Sequence, residues 1–208
     1  MARVTAPLLS LDASGTVGQT MTFAGWKGRN YVRQRVIPTN PRSPSQTGVR
    51  SMFKFLAQAW AGLLAAEKAN YDAQAEALQL SSFNVFMKQN MDRWQLNQGP
   101  SKNSPAEETS SALTITTMSL TGGDGNVTVE LTPSGGTAIW GYAIYRSISE
   151  ITTPNFTCCI AVIAADGANA VEYVDSPLDA GTYHYRAAAL NDDGVIGTVI
   201  ADDTVVVT

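Results

Sequence analysis

The sequence predicts two structural classes in series: an α+β N-terminal module, made of a β-hairpin and about three short helices, followed by an all-β sandwich. Three observations carry this. A helical apolar period runs through residues 44–94. Short stretches of period two, separated by turn residues, fill 112–208. Between them, residues 96–111 are polar and carry no apolar period. The expected organisation is therefore a module over 1–95, a linker over 96–111 and a sandwich over 112–208.

The N-terminal elements follow from local chemistry. Thr16–Phe23 is rich in strand-forming residues. Gly25 to Gly28 reads as a turn with Trp26 and Lys27 at its tip. Asn30–Ile37 alternates, with Arg33 and Arg35 toward one face and Val32 and Val36 near the other. Together these predict a hairpin over 14–37. An isolated hairpin is marginal in water, so this one needs the following helices or another subunit to pack against. Pro38, Pro41 and Pro44 end the strand.

Ser43 is placed to cap a helix, with Pro44 at its first position and Gln46 three residues on, as in a capping box. Val49, Met52, Phe53, Leu56, Trp60, Leu63 and Leu64 share one face of that helix. Arg50, Lys54 and Gln58 lie opposite. A second helix is expected over Ala65–Leu78, with Tyr71 and Ala75 inward. A third starts at Ser81 or Ser82 and spaces Phe83, Phe86, Met87, Met91 and Trp94 helically. These aromatic and methionine residues read as core.

Residues 96–111 hold two prolines and a glycine among polar groups and read as a linker. Beyond them the expected strands are Leu113–Leu120, Asn126–Leu131, Ile139–Arg146, Cys158–Ala164, Val171–Val174, Gly181–Ala189 and Thr204–Val207. Seven short strands in about one hundred residues is the pattern of an immunoglobulin-type sandwich.

Charge divides the chain more sharply than its net −4 shows. Residues 1–66 hold eight Lys/Arg and one acid, Asp12, a net +7. Residues 67–95 hold three bases and four acids, and residues 96–208 three bases and thirteen acids, a net −10. Such asymmetry points to two surfaces meeting different partners, or to one pole meeting an oppositely charged neighbour. With 44% hydrophobic residues the 208-residue chain can bury a core. Cys158 and Cys159 are adjacent, a spacing that resists disulfide geometry, so they read as two thiols on alternate sheet faces. Neither a signal-peptide core nor a membrane-length apolar run is visible, which predicts a soluble protein made in the cytosol.

The search for chemistry returns little. His184 is the single histidine; it lies in a predicted strand between Tyr183 and Tyr185 and reads as a sheet residue. No Ser–His–acid set, zinc spacing or phosphate loop is recognisable. Asp192-Asp193 and Asp202-Asp203 lack the spacing of a calcium loop and read as turn carboxylates. No catalytic residue, metal site or cofactor is expected.

Two resemblances add to this. Gly141-Tyr142-Ala143-Ile144-Tyr145-Arg146-Ser147, Glu172-Tyr173-Val174-Asp175 and Leu178–Ala187 resemble strands of a fibronectin type III domain. The resemblance implies an adhesive or spacing module, with Tyr183 as the corner tyrosine whose hydroxyl bonds the backbone upstream. Leu131 stands where that family usually has a tryptophan. The N-terminal half resembles a recurrent segment of tailed-bacteriophage structural proteins. Gly15 to Gly18, Trp26–Arg33, Pro38-Thr39-Asn40-Pro41, Gln46, Arg50, Trp60, Leu63, Glu67-Lys68, Tyr71-Asp72 and Ser82–Phe86 carry it.

The resemblances imply a non-enzymatic virion protein, made in the host cytoplasm. The leading expectation is a multi-copy capsid decoration or cement protein. Its expected docking residues on the major capsid protein or other virion proteins are Trp26, Lys27, Arg29, Tyr31, Arg33, Arg35, Arg42 and Arg50. The sandwich would remain available for contact with a host surface. A tail, neck or fibre component is the alternative, distinguished by copy number. A nucleic-acid-binding accessory protein is the second alternative. Basic residues interleaved with Trp26 and Tyr31 suit phosphates and stacking, but no nucleic-acid fold accompanies them and the acidic half opposes approach.

Overall fold

In the computed structural model, β1 (Arg3–Val4), β2 (Ala13–Val17), β3 (Met21–Trp26) and β4 (Arg29–Gln34) form a four-stranded antiparallel sheet in chain order. The structure describes residues 3–4, 13–18, 20–27, 29–37, 42–109, 113–134 and 139–208. Gly18, at φ +56°, turns the chain where one strand was expected over Thr16–Phe23. The hairpin expected over 14–37 is thus three strands of a larger sheet, and Val36 and Ile37 fall beyond its last strand. The proline-rich stop at 38–41 lies outside the described residues.

This sheet belongs to one compact unit, Met1–Pro41; the rest, Arg42–Thr208, is a second. The division is not the one expected at 96–111, and packing explains why. The second unit contains α1 (Pro44–Gly62), α2 (Ala65–Ala69), α3 (Asp72–Leu78) and α4 (Ser82–Gln95). It also contains β5 (Ile115–Gly123), β6 (Asn126–Pro133), β7 (Gly141–Ser147), β8 (Cys159–Ala164), β9 (Val171–Asp175), β10 (Gly181–Leu190) and β11 (Asp203–Val207). The strands make two antiparallel sheets, ordered β5-β6-β9 and β11-β10-β7-β8. The fold is mixed α+β.

The inner strands of the β11-β10-β7-β8 sheet, β7 and β10, are buried on both faces over most of their length. Tyr142, Ile144, Tyr185 and Ala187 face Val127, Val129 and Leu131 of the other sheet. The intervening residues Ala143, Tyr145, Ala188 and Leu190 pack with Met52, Phe55, Leu56, Phe86 and Trp94 of the helices. Helices and strands therefore share a core. Residues 96–111 join elements of one unit, and residues 99–104 among them are buried or half-buried. Arg93 donates to the carbonyls of Gly99 (2.8 Å) and Gly194 (3.0 Å). The buried Ser101 amide donates to Asn90 Oδ1 at 2.6 Å. Lys102 pairs with Asp192 at 2.7 Å and Glu67 at 3.2 Å.

α1 lies against β8, the last strand of its sheet. The Val162 amide donates to Ser51 Oγ (2.7 Å), and that hydroxyl donates to the Val162 carbonyl (3.0 Å). A side chain thus takes the place of a neighbouring strand and closes the sheet edge. The buried face of α1 is Gly48, Met52, Phe55 and Leu56. Val49 and Phe53, expected inside, are 36% and 52% exposed. The expected helix over 65–78 breaks at Asn70-Tyr71, and Tyr71 at the break is fully buried. The Ser43–Gln46 capping box does not form: Ser43 offers its carbonyl to the Gln46 and Thr47 amides instead. α4 is capped as expected, Ser81 Oγ accepting from the Asn84 amide at 3.2 Å.

Candidate interaction surface

The expected docking residues divide between the two compact units. Trp26, Lys27, Arg29, Tyr31, Arg33 and Arg35 belong to the N-terminal sheet; Arg42 and Arg50 belong to the second unit. With the unit boundary at 41/42, the first unit carries five bases against one acid, and the second nine against seventeen. The charge division therefore persists, at +4 and −8. Lys27 sits in the β3–β4 turn at φ +48°, and Trp26 and Arg29 are register partners on either side. The Trp26 side chain lies outside the described residues, so its expected anchoring role has no geometry here. Arg42 is exposed, at φ +49°. Arg50 is exposed on α1 and lines a shallow depression with Ser45, Gln46 and Val49.

All six residues of β4 are exposed, as are Arg35, Val36 and Ile37 after it. Side-chain alternation puts Arg29, Tyr31, Arg33 and Arg35 on one face and Asn30, Val32 and Gln34 on the other, and Val36 lies past the last ladder bond. The expected separation of Arg33 and Arg35 from Val32 is thus present, while Val36 stands outside the strand. Yet Val32 is 50% and Val36 75% exposed, so both valines are open as well. The last strand of this sheet thus carries guanidinium groups on one face and an exposed valine on the other.

The acidic unit holds some of its charges in pairs. Arg146 of β7 and Asp175 of β9 meet at 2.6 Å, and Asp175 also accepts from the buried Tyr185 hydroxyl at 2.8 Å. His184 Nδ1 lies 2.6 Å from Asp202 Oδ2, while Asp202 Oδ1 accepts from the Ile151 amide at 3.2 Å. Sequence reasoning found no partner for His184, since a contact 18 residues along the chain has no local motif. Asp202 ties a loop to the sheet. Among the described residues no nucleophile hydrogen-bonds to His184, and no group of three His, Cys, Asp or Glu side chains is arranged to hold a metal. Asp192 is paired to Lys102 and Asp202 to His184, so both acidic pairs have structural employment. Tyr183 donates its hydroxyl to the Asp179 carbonyl at 3.0 Å, the upstream backbone bond expected of it.

The two thiols do not alternate across a strand as expected. Cys159 opens β8 and is buried, with its thiol pushed up in pKa chiefly by that burial; Cys158 precedes the strand, its Sγ donating to the Asn155 carbonyl. Cys158 also lines an open cleft of about 490 Å³ with Pro44, Arg146, Ser147, Ile148 and Tyr183. No described helix is long and apolar enough to cross a membrane.

No family model matches the chain, and no curated protein matches it. Among solved structures, one described as the crystal structure of β-1,2-glucanase from Parabacteroides distasonis shares a TM-score of 0.35 and 15% identity. The match covers 47% of this chain and 14% of that one.

Proposed function

We propose that this chain is a non-enzymatic structural protein of a virion, of the capsid decoration or cement type, that docks on an acidic neighbour through its N-terminal sheet. The observation that carries this is β4: exposed along its full length, with Arg29, Tyr31 and Arg33 on one face and Val32 on the other. Guanidinium groups form paired, directional bonds with carboxylates, and exposed valine beside them adds contact area, a combination typical of protein interfaces. The resemblance of the N-terminal half to phage structural segments supplies the class of assembly.

The two sheets of the second unit are proposed to form a fibronectin-III-like sandwich, free to meet other virion or host proteins. Three features support it: the three-plus-four division of the strands, the sheet order β11-β10-β7-β8, and the Tyr183–Asp179 corner bond. A helical layer covers part of the four-stranded sheet of this unit.

The test is cross-linking mass spectrometry on assembled particles carrying the full chain, reading what lies beside Lys27. Links to the major shell protein support decoration, and links to tail-tube or portal proteins move the chain to the tail or neck. Absence from particles, or undiminished particle association of the Arg29→Glu/Arg33→Glu/Arg35→Glu variant, refutes docking through this surface.

A further inference from the structure

We infer that the outer edge of β4 is a strand-addition site for an extended acidic segment of a neighbouring protein, an inference that rests on the docking proposed above and specifies its mode. The Arg35 amide donates to the Thr20 carbonyl at 2.8 Å, continuing the register in which Gln34 opposes Met21. Residues that exchange both backbone bonds alternate along an antiparallel ladder. Tyr31 and Arg33 therefore direct their backbone groups at β3, and Val32 and Gln34 direct theirs outward. β4 is the last strand of its sheet, its ladder has no register shift, and no proline lies between Arg29 and Gln34.

Such edges are usually blunted, because unpaired backbone groups recruit other strands. This chain shows one means of doing so at β8, where Ser51 occupies Val162 on both backbone groups. No described residue does the same for Val32 or Gln34.

Charge selects the occupant. Two-fold pairing of β4 with a second copy, centred on Val32, would set Arg29 opposite Arg35; the adjacent register of the same parity would set Arg33 opposite itself. Like charges directly opposite destabilise a ladder. A strand bearing carboxylates at alternate positions would instead lay them beside Arg29, Arg33 and Arg35 on one face. Apolar or small residues between them would meet Val32 on the other.

Val32→Pro is the discriminating change. It removes one outward amide, which an edge strand tolerates, and leaves the arginines in place. The probe is a fluorescent synthetic peptide alternating glutamate with threonine and valine, titrated into the full chain by anisotropy. Val32→Pro should weaken binding roughly tenfold or more. Hydrogen exchange on the unaltered chain should show the Val32 and Gln34 amides gaining protection with peptide. If Val32→Pro binds normally and these amides stay unprotected while the triple arginine reversal abolishes binding, strand addition is overturned and charge-based docking stands. If neither variant loses binding, both are overturned. Tighter binding to single-stranded DNA, or a dimer of the chain abolished by Val32→Pro, also overturns the acidic-strand assignment.

Discussion

Gly48 and Cys159 meet where α1 crosses β8, and a Cβ on Gly48 would lie 2.3 Å from the Cys159 carbonyl oxygen. The obstacle is backbone, so it cannot swing aside. Alanine elsewhere in a helix gains about 1 kcal/mol over glycine. Here the clash should reverse that sign, and Gly48→Ala should destabilise by about 1–3 kcal/mol in chemical denaturation. Gly62, at the end of the same helix, has nothing within 4 Å of its added Cβ. Gly62→Ala should be neutral or mildly stabilising, and equal losses at both sites would refute the close approach.

Ser51 tests the other half of that contact. Ser51→Ala leaves the Val162 amide and carbonyl without the hydroxyl that serves them both. The expected cost is about 1–3 kcal/mol, the range for a buried polar group left unsatisfied. Faster exchange at the Val162 amide than in the parent chain should accompany it. Unchanged exchange there would mean that water replaces the hydroxyl without loss.

The strands of the second unit were legible to within about three residues at their ends, and their relation to the helices was not. Turn chemistry is local: Gly125, Gly167 and Gly194 take positive φ at three of the turns. Layering is not local. Yet a signal for it stands in Ala187-Ala188-Ala189-Leu190 and in Gly141–Tyr145, which stay apolar where a one-faced strand would alternate. On α1, counting apolar residues favoured Val49 and Phe53, while the contact is set by Gly48, Ser51 and Phe55. Small and polar residues carry no weight in an apolar period. The basic surface was legible from charge alone. Its division was not, because the prolines at 38–44 mark a strand end and say nothing of where compact units part.

Asp175 should be among the least replaceable residues of the second unit. It is buried and accepts from both Arg146 (2.6 Å) and Tyr185 (2.8 Å). Asp175→Ala leaves a guanidinium and a phenol without their acceptor, at an expected cost of about 3–5 kcal/mol. Asp175→Asn keeps an acceptor and should cost less. Urea denaturation of the two variants checks the order; equal and small losses would show that the pair is solvated.

The thiols should separate by reactivity. Cys159 is fully buried and its thiol is pushed up by desolvation, so it offers little thiolate. Cys158 opens on the cleft beside Arg146 and Tyr183. Mass spectrometry of iodoacetamide-treated native protein should find the first equivalent on Cys158, and the second on Cys159 only in denaturant. Modification of Cys159 at a comparable native rate would contradict its burial.

Alkali should unfold the second unit through its tyrosines. Burial raises Tyr71 and Tyr173 to about 12 and raises Tyr142, Tyr145 and Tyr185 as well. A phenol whose folded pKa exceeds its unfolded value of about 10 binds its proton more tightly when folded. The stability this contributes is complete below about pH 10 and is lost as pH rises through the folded values. Tyr71 adds a further cost, since its hydroxyl donates to the Ser101 carbonyl at 3.0 Å and an anion cannot. Absorbance at 295 nm should therefore show these five tyrosines ionising together with the loss of far-ultraviolet circular dichroism. Tyr71→Phe should lower from five to four the number of tyrosines that ionise with the transition. Ionisation of all five while the circular dichroism holds would overturn the buried placement.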